Sequence, residues 1–176
     1  ARFSIDKGWS VSVSDVSEDN VKNAFELGID AKCIDLNLPL PYENKSFNVV
    51  TLIEALEHIM NAETLVEEIY RVLTDDGHFL LSTPNYAFYK HRLNGMLGKS
   101  PPEEGKHFRF FIRRKLKKML ISRGFKIVKI NSFGYMPLFN KIALRKMRGK
   151  EKSRFRIPYI FETIFAEHFV WLMQKQ

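Results

Sequence analysis

Three acidic residues stand directly behind strand-like runs. Trp9-Ser10-Val11-Ser12-Val13-Ser14 alternates at period two and closes on Asp15, Ala31 to Ile34 closes on Asp35, and the apolar run from Phe47 to Ile53 closes on Glu54. In a parallel sheet the carboxyl ends of the strands line one crevice, and a carboxylate there can accept from both hydroxyls of a ribose. For Asp15 alone the competing role is capping the helix that follows it. Glu54 is followed by Glu57 and His58, and a second histidine, His107, follows Pro101-Pro102-Glu103-Glu104-Gly105. An imidazole titrates near neutral pH, so His107 and His58 are the candidate general bases, with loop ordering or solvent exposure as the alternative for each. The spacing shows no metal-ligand cluster, no nucleophile motif and no phosphate-cradling glycine loop, so no metal is expected.

The elements that position these residues alternate between strand and helix, the mark of an α/β sheet. Ser17 is a suitable N-cap, Glu18 and Asp19 suit the positive end of a helix to about Leu27, and Gly28 stops it. Phe47 to Ile53 is nearly continuous in apolar residues, as expected for a central parallel strand buried on both faces. A helix from about Ala62 to Leu73 carries Leu65, Val66, Ile69, Tyr70 and Leu73 on one stripe. Asp76-Gly77 turns into a strand from His78 to Ser82, ended by Pro84. Phe111 to Arg123 reads as an amphipathic helix with Ile112, Leu116, Met119 and Leu120 inward. Phe125 to Ile130 and Phe165 to Met173 read as later strands, and Ile142 to Arg148 as a short helix in a basic, poorly periodic segment.

The 176 residues suffice for one domain with a sizeable core, and 45% hydrophobic with 13% aromatic residues excludes disordered and fibrous classes. No apolar run approaches the roughly 20 residues of a membrane span. Cys33 has no disulfide partner in this sequence and sits in an apolar stretch, which fits a small buried residue in a reducing cytoplasm. The net charge of +8 is uneven: Lys106 to Lys118 holds seven Lys/Arg and Lys141 to Arg156 holds eight, with Glu151 the only acid in either. Such asymmetry suits an anionic partner, or else a solvated face without one.

The combination of these segments is more specific than any one of them. Val13-Ser14-Asp15-Val16-Ser17, Asp35-Leu36 with Leu40-Pro41-Tyr42, Ser46-Phe47-Asn48-Val49-Val50 and Glu54-Ala55-Leu56-Glu57-His58-Ile59 together resemble the class I S-adenosylmethionine-dependent methyltransferases. So do Glu68-Ile69-Tyr70-Arg71-Val72-Leu73, Gly77 to Asn85, and His107-Phe108-Arg109-Phe110-Phe111 to Gly124-Phe125. The resemblance covers about residues 1 to 134, and more loosely Ala166 to Lys175. The middle motifs have the spacing of the small-molecule branch, methyltransferase types 11 and 23. It implies a Rossmann-like, doubly wound α/β fold with a mostly parallel sheet and an antiparallel last strand, and S-adenosylmethionine as cofactor. It also implies roles by position. Asp15 takes the ribose hydroxyls and Val16 lies on the adenine. Asp35 accepts from the adenine amino group beside the Leu36 amide, and Ile53 and Glu54 wall the methionine part. Asn85, Tyr86 and Tyr89, in a segment running to Ser100, together with His107, border a small-molecule, sugar or lipid acceptor.

The family's glycine-rich loop and first strand have no counterpart before Trp9. Ala1 to Lys7 fits the last turns of the helix behind that loop, with Gly8 its stop. The expectation is therefore a single domain over residues 1–176 whose first strand is missing, with a basic insertion at about 135–158. Other classes stay open: a non-catalytic Rossmann-like scaffold, or a basic protein that binds nucleic acid or an anionic membrane surface. The absence of a recognition helix or RNA-stacking motif weighs against nucleic acid.

Overall fold

The computed structural model describes residues 2–99, 107–134 and 162–176, in two compact units, residues 1–41 and 42–176. The short helix expected at Ile142 to Arg148 and the basic insertion at 135–158 lie outside the described residues.

The first unit holds α1 (Arg2–Ile5), β1 (Ser12–Asp15), α2 (Glu18–Glu26) and β2 (Asp30–Cys33). β1 and β2 pair in parallel, Ser12 opposite Asp30 through Asp15 opposite Cys33. Ser17 caps α2 as expected, its Oγ accepting from the Asn20 N–H at 3.4 Å, and Glu18 and Asp19 fill the first turn. Gly28, at φ +73°, ends it in the left-handed region where only glycine is unstrained. Val21, Ile29, Ala31, Ile34 and Leu40 are the buried apolar residues. Cys33 is exposed, contrary to the sequence expectation: it lies at the carboxyl end of a strand paired on one side, after Lys32, which is exposed too.

The second unit is a four-stranded sheet in the order β3-β4-β6-β5. Its strands are β3 (Phe47–Ile53), β4 (Leu73–Pro84), β5 (Phe125–Gly134) and β6 (Ala166–Lys175), and its helices α3 (Ala62–Val72), α4 (Tyr89–Met96), α5 (Arg113–Ile121) and α6 (Glu162–Phe165). β3 and β4 are parallel, and β6 pairs antiparallel with both β4 and β5. The sequence reading of an antiparallel last strand is what the sheet shows. β3 differs from it: among the described residues its one strand neighbour is β4, and only Leu52 of its seven residues is buried. An apolar run states that a strand will pack, not how many neighbours it has. The core gathers Leu56, Val66, Leu73, Phe79, Leu116, Leu120, Phe125, Phe169 and Trp171, each at most 1% exposed. The described part of the Lys106-to-Lys118 basic run, from His107 on, falls on α5 and its approach, where Leu116 and Leu120 face inward and Arg114, Lys115, Lys117 and Lys118 are exposed. No described helix is long and apolar enough to cross a membrane.

Candidate active site

In the first unit Asp15 ends β1, with its carboxylate on its own turn: Oδ1 accepts from the Ser17 N–H at 2.8 Å and Oδ2 from the Asn20 amide at 3.1 Å. Asp15 thus braces the turn that enters α2, while the cap itself is Ser17. Val16 beside it is 73% exposed, an unusual position for an aliphatic side chain. Asp35 follows β2, and the Asn37 backbone N–H and side-chain amide, each 2.9 Å from Oδ1, hold its carboxyl below the usual carboxylate range. Leu36 is half-buried.

In the second unit the functional side chains collect at the carboxyl ends of β3 and β4. Ile53 is 55% exposed. Glu54 leaves β3 at φ +48°, in the left-handed region, and its N–H donates to the Ser82 carbonyl at 3.0 Å. Its carboxylate is held from two sides, by the Ser82 hydroxyl on Oε1 and by His168 Nδ1, 3.0 Å from Oε2. A non-glycine residue in that backbone region marks a strained position kept by its surroundings.

The chain then makes a single 3₁₀ turn, Leu56–His58. Glu57 within it is 1% exposed and accepts from the Thr83 hydroxyl at 3.0 Å. Burial pushes its carboxyl above the ordinary range, and the bonds from its own amide and Thr83 oppose that rise. Two backbone bonds splice the segment after His107 onto this turn: the Phe108 and Arg109 N–H groups both donate to the Glu57 carbonyl, at 2.9 and 3.1 Å. Arg109 reinforces the splice, its Nε and Nη2 reaching the Met60 carbonyl at 2.9 and 2.6 Å and Nη2 pairing with Glu63 at 3.0 Å. His107 thereby lies against His58, ring centroids 4.6 Å apart, while its Nδ1 is 2.5 Å from the Tyr86 hydroxyl.

Of the acceptor-segment residues, Tyr86 meets His107 and Tyr89 packs on Phe88 and Phe165. Asn85 is fully buried, donating to the Thr163 and Ala166 carbonyls and accepting from the Ala87 N–H, so it ties the end of β4 to the start of β6. Sequence reasoning missed Ser82, Thr83 and His168. His168 stands opposite Pro84 only because β6 returns antiparallel along β4, a register with no local signal. It also expected no metal-ligand cluster. Glu57, His58 and His107 nevertheless bring one ligand atom each to within 4.8 Å of one another, across a gap of some fifty residues that no short motif reveals.

Comparison with known proteins finds similar curated methyltransferases and solved structures of the same fold. A ubiquinone biosynthesis O-methyltransferase from Idiomarina loihiensis is 28% identical over 144 residues, covering 76% of this chain and 59% of that protein. The chain thus spans less than two thirds of that relative's length. A crystal structure of an S-adenosylmethionine-dependent methyltransferase from Mesorhizobium loti matches 99% of this chain and 84% of its own, with a TM-score of 0.68 and 16% identity. The cyclase SpnF matches 99% of this chain and 70% of its own at TM-score 0.65 and 17% identity, so likeness of fold does not by itself fix the reaction. The cofactor that the family and fold imply is S-adenosylmethionine. With the sequence profile of the methyltransferase domain matching residues 4–130, the chain belongs to the methyltransferase domain family.

Proposed function

We propose that the chain takes part in S-adenosylmethionine-dependent methyl transfer to a hydroxyl oxygen of a small organic acceptor, with residues 1–176 working as one methyltransferase domain. The observation that carries this reading is the pair of imidazoles, His58 and His107, at the carboxyl ends of β3 and β4, braced by Tyr86 and by the buried Glu57. Bound S-adenosylmethionine supplies a methyl group on a sulfonium, whose thioether leaves without acid assistance. What remains for the protein is alignment and removal of the acceptor's proton. The His58–His107 pair is where an acceptor hydroxyl loses that proton. The single-domain reading is supported by a family match that runs across the division at residues 41 and 42.

The residues assigned to the cofactor by resemblance are Asp15, Val16, Asp35 and Leu36 in the first unit and Ile53 and Glu54 in the second. Their chemistry suits it. A carboxylate beside an exposed valine offers a ribose and an adenine what each binds, and Asp35, held ionised by Asn37, suits an amino group. Tyr86, Tyr89 and His107 border the acceptor. The likeness to an O-methyltransferase favours an oxygen acceptor over nitrogen. Leu93, Met96 and Leu97, 51%, 84% and 62% exposed and flanked by exposed Lys90, Arg92 and Lys99, favour a lipid over a sugar, taken from an anionic membrane face on the cytoplasmic side.

The test is calorimetric titration of S-adenosylhomocysteine into this chain and into the product of its complete reading frame. Binding that weakens on Asp15→Asn supports the reading. The loss is about 1.5–3 kcal/mol, the worth of a hydrogen bond to a charged group, or roughly 10- to 100-fold. Silence from both proteins replaces it with a non-catalytic scaffold.

A further inference from the structure

We propose that Glu57, His58 and His107 form a binding site for a divalent transition cation of the zinc or cobalt kind. The inference rests on the reading of this cluster as the place where the acceptor is activated, and it supplies the means.

Three features of the geometry carry it. The first is convergence: a carboxylate oxygen and two imidazole nitrogens lie within 4.8 Å of one another, close enough for a single ion to bridge all three with small side-chain adjustments. The second is preorganisation. His107 is set against the Glu57 turn by the two backbone bonds into the Glu57 carbonyl, and Arg109 pins the same segment to Met60 and Glu63. The third is the partner on the far side of a ligand. His107 Nδ1 lies 2.5 Å from the Tyr86 hydroxyl, and in the tautomer whose Nδ1–H donates to that oxygen Nε2 is left to bind metal, the arrangement that fixes tautomer and ring direction in metal sites. Glu57 adds a buried oxygen donor. It is 1% exposed, and among the described residues its carboxylate accepts from the Thr83 hydroxyl at 3.0 Å, which leaves it lone pairs for a cation. Glu54, three residues earlier, is engaged elsewhere by Ser82 and His168.

The donor set selects the ion. Two imidazoles and one carboxylate suit zinc, cobalt or iron(II), not magnesium, which prefers oxygen throughout. Three protein ligands with His58 and His107 half-buried leave a position open, as in catalytic rather than structural sites. An acceptor hydroxyl bound there is acidified by the ion, so the imidazoles act as ligands and the proton passes to water.

The experiment starts from chain dialysed against a chelator. Zinc is titrated by calorimetry and cobalt(II) by its visible absorption, with S-adenosylhomocysteine titrated in parallel. One ion per chain is expected, with a cobalt spectrum of four- or five-coordinate intensity. His58→Gln and His107→Gln each lower affinity more than tenfold, and His78→Gln, remote from the cluster, leaves it unchanged. Tyr86→Phe, which keeps every ligand, lowers affinity about 10-fold or more, so the site stays testable if a histidine variant fails to fold. No stoichiometric binding by the wild-type chain, or binding that these variants leave intact, overturns the proposal. Persisting S-adenosylhomocysteine binding in that case isolates the failure to the metal, while its loss alone strikes the cofactor reading.

Discussion

Gly124→Ala tests the frame that carries the site. Gly124 joins α5 to β5 at φ +86°, and its carbonyl accepts from the Gln176 N–H at 3.2 Å. A Cβ there would lie 2.7 Å from Tyr70 Cε2, 3.0 Å from Cζ and 3.1 Å from Oη. Tyr70 is poorly placed to retreat. Its ring stands edge-on to Phe125 at 5.4 Å, the Lys175 ammonium sits 4.5 Å from its centroid, and its hydroxyl donates to the Gln176 carbonyl. The left-handed backbone costs an alanine about 1–2 kcal/mol, and overpacking against a held ring costs about 1–3 kcal/mol. Together these give roughly 2–5 kcal/mol, or a fall in melting temperature of about 5–15 °C for a chain of this length. Thermal melting by circular dichroism measures it. In a Tyr70→Leu background the steric part disappears, so alanine at 124 should then cost only the backbone part. A loss below about 1 kcal/mol in the wild-type background, or equal losses in both, refutes the reasoning.

Two further outcomes follow from buried charges. Burial raises the Glu57 carboxyl in the folded state, so its contribution to stability is fully present below its unfolded pKa and is lost as pH rises through the folded value. In chelator, Glu57→Gln should therefore gain on the wild type as pH climbs from the acid side, with the gain levelling off above the folded pKa; a constant difference across pH, followed by urea unfolding, contradicts this. Adding zinc should reverse the order, because the variant loses a ligand. Lys175 is 6% exposed and donates to the Tyr70 and Leu73 carbonyls, both at 2.8 Å, closing the carboxyl end of α3. Lys175→Met leaves those acceptors short of a donor, which costs about 1–3 kcal/mol, seen as a lower urea midpoint at unchanged slope.

What the sequence made legible divides along the range of the interactions. α2 was readable because its signals are adjacent: Ser17 caps, Glu18 and Asp19 sit at the positive end, and Gly28 supplies the left-handed stop. α3 and β6 were readable because periodicity of 3.6 or 2 is a local consequence of facing a core, and the buried Leu65, Val66, Ile69, Phe169, Trp171 and Met173 bear this out. The burial of β3 was not, since an apolar run such as Val49 to Ile53 reads alike whether its faces are covered or open, and only Leu52 is buried. The site divides in the same way. Asp15, Asp35 and Glu54 announce themselves as acids at strand ends. His168 reaches Glu54 only through the antiparallel register of β6 on β4, and His107 reaches His58 only through two amides aimed at the Glu57 carbonyl. Those two amides belong to Phe108 and Arg109, whose side chains say nothing of the role. Backbone hydrogen bonds of this kind are available to nearly every residue type, so sequence holds them only through the whole packing that makes them inevitable. The chemistry proposed for the cluster therefore depends most on contacts that no motif encodes.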